Sequence, residues 1–363
     1  MKVSIGSRIV EGPWGGGNLF AINLRDYLVK HGHEVIFDLS DKDIDLILLT
    51  DPRSKKESSS TFNHIDILNY KTLINPNVSV VQRINECDER KNTDNINQLY
   101  LEASNISDRV IFVSSWLRDI YTNLGLNKNK TSVILAGANK NIFNDDNFLL
   151  WDGKEKLKIV THHWSSHRNK GFQTYEELDN LLLNNKWKNQ IEFSYIGNLS
   201  SEYPLPNTKV SKPLHDIELA KELKKNHVYI TASENEPSGN HHIEAAQCGL
   251  PLIYLDSGGI PEYCKGYGVK LEQLEKSLEI MQKNYLEYKE ALKRYPFSSD
   301  LMCREFLNIF ETLLKEKLKN KKDFKVKPGG HIYLFNNKIR KISNKFRVTT
   351  ETKIKIKKLL GNK

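Results

Sequence analysis

Cysteine and long apolar runs are scarce in this sequence, and each absence excludes a class of protein. The four cysteines form no C-x-x-C pair, so neither a disulfide framework nor a structural zinc site is expected. The longest apolar runs, such as DLILLT and RVIFVSS, have the length of a strand and fall short of a membrane span. Core thiols are expected instead at Cys87, Cys248, Cys264 and Cys303.

Neither the amino terminus nor the overall charge indicates secretion or nucleic-acid binding. The opening MKVSIGSRIV predicts a strand and lacks the apolar centre of a signal peptide, so a cytoplasmic location is expected. The net charge of +9 is concentrated in residues 315–363, which hold 17 Lys/Arg against 3 Asp/Glu. The rest of the chain is slightly acidic, and no nucleic-acid partner is expected.

Strand-like and helix-like segments alternate along the 363 residues, which are too many for one ordinary core. Strands rich in Val and Ile between helical segments are typical of parallel sheets covered on both faces. The pattern predicts an α/β protein with two doubly wound, Rossmann-like domains facing across a cleft. We assign residues 1–150 to the first domain and residues 151–295 to the second.

Two further segments follow the second domain. Residues 296–318 predict a long amphipathic helix that packs back on the first domain, and residues 319–363 predict a basic amphipathic or disordered tail. Apolar and basic residues alternate at helical spacing in this tail, which suits an anionic membrane surface. Residues 325–363 are therefore a candidate membrane contact, with a solvated, disordered tail as the alternative.

The stretch SENEPSGNHHIEAAQCGLPLI combines two carboxylates with a glycine loop. The preceding HVYITAS predicts a strand, so Glu236 falls in the loop at its carboxyl end and Glu244 in the first turns of the next helix. Gly239 precedes that helix, whose exposed N–H groups and dipole favour an anion. Carboxylates accept strong hydrogen bonds from vicinal hydroxyls. Together these groups predict a site for a nucleotide sugar.

This stretch resembles the donor site of retaining glycosyltransferases of the GT-B fold, glycosyltransferase family 4, also called group 1. In that family a glutamate, a glycine-containing loop and a second glutamate eight positions on precede A-x-x-C/A-G-x-P and a G-G-x-P-E loop. The resemblance implies that Glu236 holds hydroxyls of the transferred sugar and that Glu244 binds the ribose. It also implies a sugar pocket lined by the backbone of Ser238, Gly239, Asn240, Gly258 and Gly259.

Two more segments match the same family. GPWGGGNLFAINLRDYLVKHGHEV resembles its glycine-rich first loop and helix, where Gly16 and Gly17 would let the backbone approach the diphosphate. HRNKGF resembles its K-G element, which implies that Lys170 neutralises the departing diphosphate. The alternatives are a flexible turn for the glycines and a solvated helix start for the lysine.

The sequence departs from the family's pattern on the phosphate side. The usual arginine, five residues before the lysine, is here Ser165, and Arg168 is the nearest replacement. The sequence also lacks the histidine that many members carry near the reacting carbon.

The segment QRINECDERKNT stands where that histidine would be. It resembles a polysaccharide-assembly subgroup with the pattern R-I-N-E-x-D-x-R-K. That resemblance adds Asn85 to the catalytic residues beside Glu236 and Lys170, and it places Arg83 and Glu86 on the acceptor side. A solvated, charged loop is the alternative.

A dinucleotide cofactor and a metal ion are both disfavoured. The dinucleotide fingerprint G-x-G-x-x-G would need a glycine at position 20, which is Phe20. His162 and His163 are neighbours on a predicted strand, and His241 and His242 diverge on a predicted helix, so neither pair is arranged to chelate one ion.

These residues predict a hexosyltransferase-type glycosyltransferase that moves a sugar from a nucleotide diphosphate sugar to an acceptor hydroxyl, without a metal. The resemblance implies retention of the anomeric configuration and a role in cell-surface polysaccharide or glycolipid assembly. The acceptor would then be a saccharide or a lipid-linked sugar, met at the inner face of the membrane. A non-catalytic nucleotide-sugar-binding protein and another GT-B enzyme, such as an epimerase, are the alternatives.

Overall fold

The computed structural model describes residues 1–10, 15–53, 58–319 and 323–339. These residues form two parallel six-stranded sheets, each flanked by helices. The prediction of two doubly wound α/β units facing across a cleft is therefore confirmed.

The first sheet has the strand order β2-β1-β3-β4-β5-β6. Its strands are β1 (Lys2–Ile5), β2 (Glu34–Ile36), β3 (Leu46–Leu49), β4 (Ser79–Ile84), β5 (Arg109–Phe112) and β6 (Thr131–Val133). The helices of this part are α1 (Gly16–Lys30), α2 (His64–Leu73), α3 (Asp88–Lys91), α4 (Ile96–Ser104) and α5 (Ser115–Asn123).

The second sheet has the strand order β12-β11-β10-β7-β8-β9. Its strands are β7 (Leu157–His163), β8 (Ile191–Gly197), β9 (Lys209–Ser211), β10 (Val228–Thr231), β11 (Leu252–Tyr254) and β12 (Gly268–Lys270). The helices that follow in chain order are α6 (Phe172–Leu181), α7 (Asp216–Leu223), α8 (Asn240–Gln247), α9 (Ile260–Cys264), α10 (Leu274–Leu292) and α11 (Ser299–Lys319).

Burial explains why these segments form central strands. Every residue of β3, LILL, is buried, as is every residue of β4 and β10. A parallel sheet with helices on both faces needs such unbroken apolar runs, because each strand is covered on both sides. The four cysteines are buried free thiols, as predicted.

The order of the strands locates the ligand-binding edge. In the first sheet the direction in which successive strands are added reverses between β1 and β3, and in the second it reverses between β7 and β10, although all of these strands are parallel. Doubly wound sheets bind their ligands at such reversals, outside the carboxyl ends of the strands. The loops after β1, β7 and β10 are therefore the expected walls of a site.

The last long helix joins the two parts. Helix α11 packs against α1, with the rings of Phe20 and Phe306 5.1 Å apart. Its start is capped by Ser298, whose hydroxyl oxygen accepts from the Leu301 N–H at 3.2 Å. The chain thus returns to the first sheet after completing the second.

A second junction lies between α9 and α5. The Glu262 carboxylate accepts from the N–H groups of Ser115 and Trp116, at 2.9 and 3.0 Å. The neighbouring Tyr263 hydroxyl donates to the Val113 carbonyl oxygen at 2.5 Å. These bonds hold the G-G-I-P-E segment of the second sheet against the first.

The described part of the tail contains a helix at 328–339. The Tyr333 hydroxyl of this helix donates to the Asp66 carbonyl oxygen at 2.8 Å, while Ile332 and Phe335 are exposed. Residues 340–363 lie outside the described residues, so membrane contact through 325–363 stays a prediction. None of the helices that the structure describes is both long and apolar enough to cross a bilayer.

Candidate functional site

A cavity of about 310 Å³ lies between the carboxyl ends of the two sheets. Its walls come from the loops after β1, β4, β7 and β10, as the strand order predicts. Ten of the residues singled out from sequence line it: Gly16, Gly17, Arg83, Asn85, Lys170, Glu236, Ser238, Gly239, Asn240 and Glu244.

Glu236 is held by two cations from opposite sides of the cleft. Its carboxylate lies 2.5 Å from the Lys170 ammonium and 3.3 Å from the Arg90 guanidinium, and only 3% of the residue is exposed. Burial by itself would raise the pKa of Glu236, but the charges of Lys170 and Arg90 outweigh it and lower the pKa. The glutamate is therefore a fixed carboxylate at neutral pH.

Arg90 reaches Glu236 from α3, a helix between β4 and β5 in the half of the protein that contains the first sheet. Two asparagines from the half that contains the second sheet hold this helix: the Asn169 amide donates to the Arg90 carbonyl oxygen at 2.7 Å, and the Asn235 amide donates to the Glu89 carbonyl oxygen at 3.2 Å. Burial opposes the charge on Arg90, but Glu236 and Glu86 together raise its pKa. Arg90 lines the cavity and was not singled out from sequence.

Glu244 faces the same cavity from the first turns of α8. It is buried, and its carboxylate lies 3.1 Å from His162 Nε2 at the end of β7. A ring nitrogen this close fixes the orientation of the carboxylate by a hydrogen bond. The other carboxylate oxygen of Glu244 can accept a hydrogen bond from a group that enters the cavity.

Two helix amino termini meet at this cavity. Helix α1 starts at Gly16 after Gly15, whose φ of 78° is in the left-handed region that favours glycine. Helix α8 starts at Asn240, and a Cβ placed on Gly16 would lie 3.2 Å from the Asn240 side chain. The free N–H groups and the positive dipole ends of both helices therefore lie together, which favours an anion.

The structure does not place every predicted residue on the cavity. Gly258 and Gly259 do not line it but pack behind Glu236, whose carbonyl oxygen accepts from the Gly259 N–H at 2.9 Å. Arg168 is exposed and lies outside the lining, whereas Ser165 belongs to it. The arginines that line the cavity are thus Arg83 and Arg90, both from the half that contains the first sheet, and not Arg168.

Replacing Gly258 with alanine is expected to displace the Glu236 loop. The residue has a φ of 64°, and a Cβ there would lie 2.5 Å from the Glu236 carbonyl oxygen. Gly266→Ala is the matched control, since Gly266 has a φ of 88° but no atom within 4 Å of its Cβ position. We expect Gly258→Ala to be less stable than the control by about 1–3 kcal/mol in urea unfolding. Equal free energies of unfolding for the two variants would mean that the Glu236 loop accommodates the added Cβ without a cost in stability.

Three buried histidines, His163, His241 and His242, form a cluster at the cavity, which His163 and His241 help to line, and the sequence did not predict this grouping. His163 Nε2 lies 2.8 Å from the Tyr175 hydroxyl, and the rings of His163 and His241 are 4.8 Å apart. Burial lowers the pKa of His163 and of His241 well below the usual value, and lowers that of His242 to about 3. All three rings are therefore neutral at neutral pH. Among the described residues no group of three or more His, Cys, Asp and Glu is arranged to hold a metal ion.

Comparison with known proteins connects this site to one family. Residues 189–273, which include Glu236, Glu244 and the G-G-I-P-E segment, match the family model described as glycosyl transferases group 1. No curated protein matches the chain in sequence.

Several solved structures share the whole architecture. Sucrose-phosphate synthase (tll1590) from Thermosynechococcus elongatus is 14% identical, with a TM-score of 0.62 over 87% of this chain and 99% of that one. Alr3699/HepE from Anabaena in complex with UDP-glucose is 13% identical, with a TM-score of 0.62 over 86% and 100%. AviGT4, a glycosyltransferase involved in avilamycin A biosynthesis, is 13% identical, with a TM-score of 0.57 over 86% and 98%. The protein therefore has the GT-B fold.

Proposed function

We propose that this protein transfers a sugar from a nucleotide diphosphate sugar to an acceptor hydroxyl. One observation carries the proposal: two carboxylates, one ammonium and two helix amino termini converge on a single cavity between the sheets. The family match over residues 189–273 supports the reading of that cavity as a donor site.

Each part of the donor has a suitable partner in the cavity. The two helix amino termini and Lys170 would neutralise the diphosphate, because N–H groups and an ammonium together match its charge. Glu244, oriented by His162, would accept from the ribose hydroxyls. Glu236 would accept from hydroxyls of the transferred sugar on the other side of the diphosphate.

We further propose that the reaction retains the anomeric configuration and needs no metal. Glu236 is engaged by Lys170 and Arg90, so it suits the role of orienting the sugar and not that of a nucleophile. The leaving diphosphate would take the proton of the incoming hydroxyl, while Lys170 and Arg90 stabilise the charge that develops on it. Asn85, which lines the cavity, would contact the reacting groups.

The two sheets would then divide the work. Residues 151–295 would hold the donor and residues 1–150 the acceptor, and closure of the cleft would exclude water. The same proposal includes a saccharide or lipid-linked acceptor and a role in the assembly of cell-surface polysaccharide or glycolipid. It also includes a cytoplasmic position beside the membrane.

Titration of the protein with a panel of UDP-, GDP- and ADP-sugars tests the donor site. UDP-glucose comes first, because Alr3699/HepE was solved in complex with it. We expect one donor to bind and to release its nucleoside diphosphate when an acceptor is supplied. Binding without release would indicate a nucleotide-sugar sensor, and an isomerised sugar without a new glycoside would indicate an epimerase.

A further inference from the structure

A second cavity, of about 370 Å³, adjoins the first on the side of the first sheet. The two cavities share Gly17, Arg83 and Asn85 as walls. Polar side chains, among them Asn18, Thr50 and Ser7, line the rest of it together with several charged groups. A group bound there would lie beside Asn85, which the proposed function places at the reacting groups.

The carboxylates of this second cavity are already neutralised by neighbouring cations. Asp51 pairs with Arg53, whose guanidinium nitrogen lies 2.6 Å from the carboxylate. Glu86 lies 2.9 Å from the Lys91 ammonium and 3.3 Å from the Arg90 guanidinium. Neither carboxylate is therefore free to neutralise another cation.

Arg83, in contrast to these paired groups, is a charged group of the cavity with no ion-pair partner among the described residues. Only 6% of the residue is exposed, and its guanidinium lies over the Phe20 ring at 4.0 Å. Within the described part of the chain no hydrogen bond or ion pair engages this guanidinium. Burial lowers the pKa of Arg83 to about 10, so the group stays cationic at neutral pH.

A buried cation without a counter-charge is costly, and proteins normally pair it. Arg8, which also lines the cavity, is exposed and forms no side-chain ion pair with the described residues. The cavity thus has an excess of positive charge, and polar side chains form part of its lining. An anionic ligand with hydroxyl groups fits this chemistry.

We propose that the second cavity binds an acceptor sugar that carries an acidic group, a carboxylate or a phosphate, and that Arg83 pairs with it. The inference rests on the proposed transferase function and narrows its acceptor to an anionic saccharide. The acidic group lies against Arg83 and Arg8. The acceptor hydroxyl points toward the donor at the place where the two cavities meet.

Calorimetric titration of the full chain, saturated with UDP, tests this proposal. Glucuronate and glucose 6-phosphate are the acidic probes, and glucose is the uncharged control. We expect at least one acid to bind about 10-fold or more tighter than glucose, since a charge-assisted hydrogen bond to a buried arginine has that effect. Preference for glucuronate or for glucose 6-phosphate identifies the acidic group.

Variants assign the effect to the cavity. Arg83→Gln is expected to remove the preference for acids, and Arg8→Gln, which alters only the second cavity, to reduce it about 3-fold. Arg304→Gln is the matched control, because Arg304 is exposed on α11 and lies outside both cavities. If Arg83→Gln fails to fold, the Arg8→Gln result decides.

Separate readouts distinguish the possible failures. UDP, GDP and ADP are each titrated alone into every variant, and absence of binding of all three to the wild type would count against the proposed function. The acidic probes are then titrated without UDP, so the second cavity is still tested. Equal binding of glucose and both acids, or an Arg83→Gln variant that loses UDP but keeps the acid, would overturn the proposal.

Discussion

Replacing Glu236 with glutamine is expected to slow sugar transfer strongly while UDP still binds. Glutamine keeps the shape of the side chain but removes the charge that Lys170 and Arg90 hold in place. A neutral amide accepts weaker hydrogen bonds from sugar hydroxyls, and its own N–H groups oppose the two cations. Because the loss falls on the orientation of the reacting sugar, we expect turnover to drop on the order of 10²–10³-fold.

Glu234→Gln provides the matched control for this variant. Glu234 lies in the same loop two residues earlier and is exposed. The Glu234→Gln substitution therefore removes the same charge from a side chain that does not line the cavity. Release of nucleoside diphosphate measures turnover, calorimetry measures UDP binding, and circular dichroism reports the fold. Turnover of Glu236→Gln within a few-fold of the Glu234→Gln rate would remove Glu236 from the proposed mechanism.

Acidification from pH 7.5 to pH 5.5 is expected to lower the free energy of unfolding by at least about 4 kcal/mol. Three imidazoles, those of His163, His241 and His242, have lowered pKa values because they are buried, and they stay neutral in the folded protein over this range. In the unfolded chain they take up protons below about pH 6.5. The unfolded state then binds more protons than the folded state, so acid favours unfolding by about 1.4 kcal/mol for each group.

Urea unfolding at the two pH values measures this loss. His242→Gln removes one of the three groups, so the difference in the free energy of unfolding between the two pH values should shrink by about 1.4 kcal/mol. His331→Gln is the control, because His331 is exposed in the helix 328–339 and should leave the difference unchanged. Comparing each protein with itself cancels the cost of the substitution. A loss that is the same in all three proteins would exclude the cluster as its cause.

The fold could be predicted from sequence because it depends on local patterns. Runs such as the LILL of β3 have one stable environment, a strand covered on both faces, and regular alternation with helices fixes parallel connections. The same logic located Glu236 and Glu244, since each follows a recognisable strand or helix start. Such residues are positioned by their immediate neighbours in the chain.

Arg90 and Arg168 show where this logic fails. Both are arginines near predicted site segments, but only Arg90 reaches the cavity, because α3 is held across the cleft by Asn169 and Asn235. The second R of the pattern R-I-N-E-x-D-x-R-K falls on Arg90, but its contact with Glu236 depends on how the two halves meet, which the pattern does not give. The histidine cluster was missed for the same reason, since His163 and His241 come from a strand and a helix distant in sequence.

The contacts of Arg90 also bear on when the proposed sugar transfer can occur. Its guanidinium contacts Glu86 of one cavity and Glu236 of the other, so it connects the two halves of the protein by a single charged group. Under the proposed transfer, moving the two halves apart would take one cation away from Glu236 and weaken its hold on the sugar. Arg90 would then align the donor sugar only while the cleft is closed around an acceptor, which would limit hydrolysis of the donor by water.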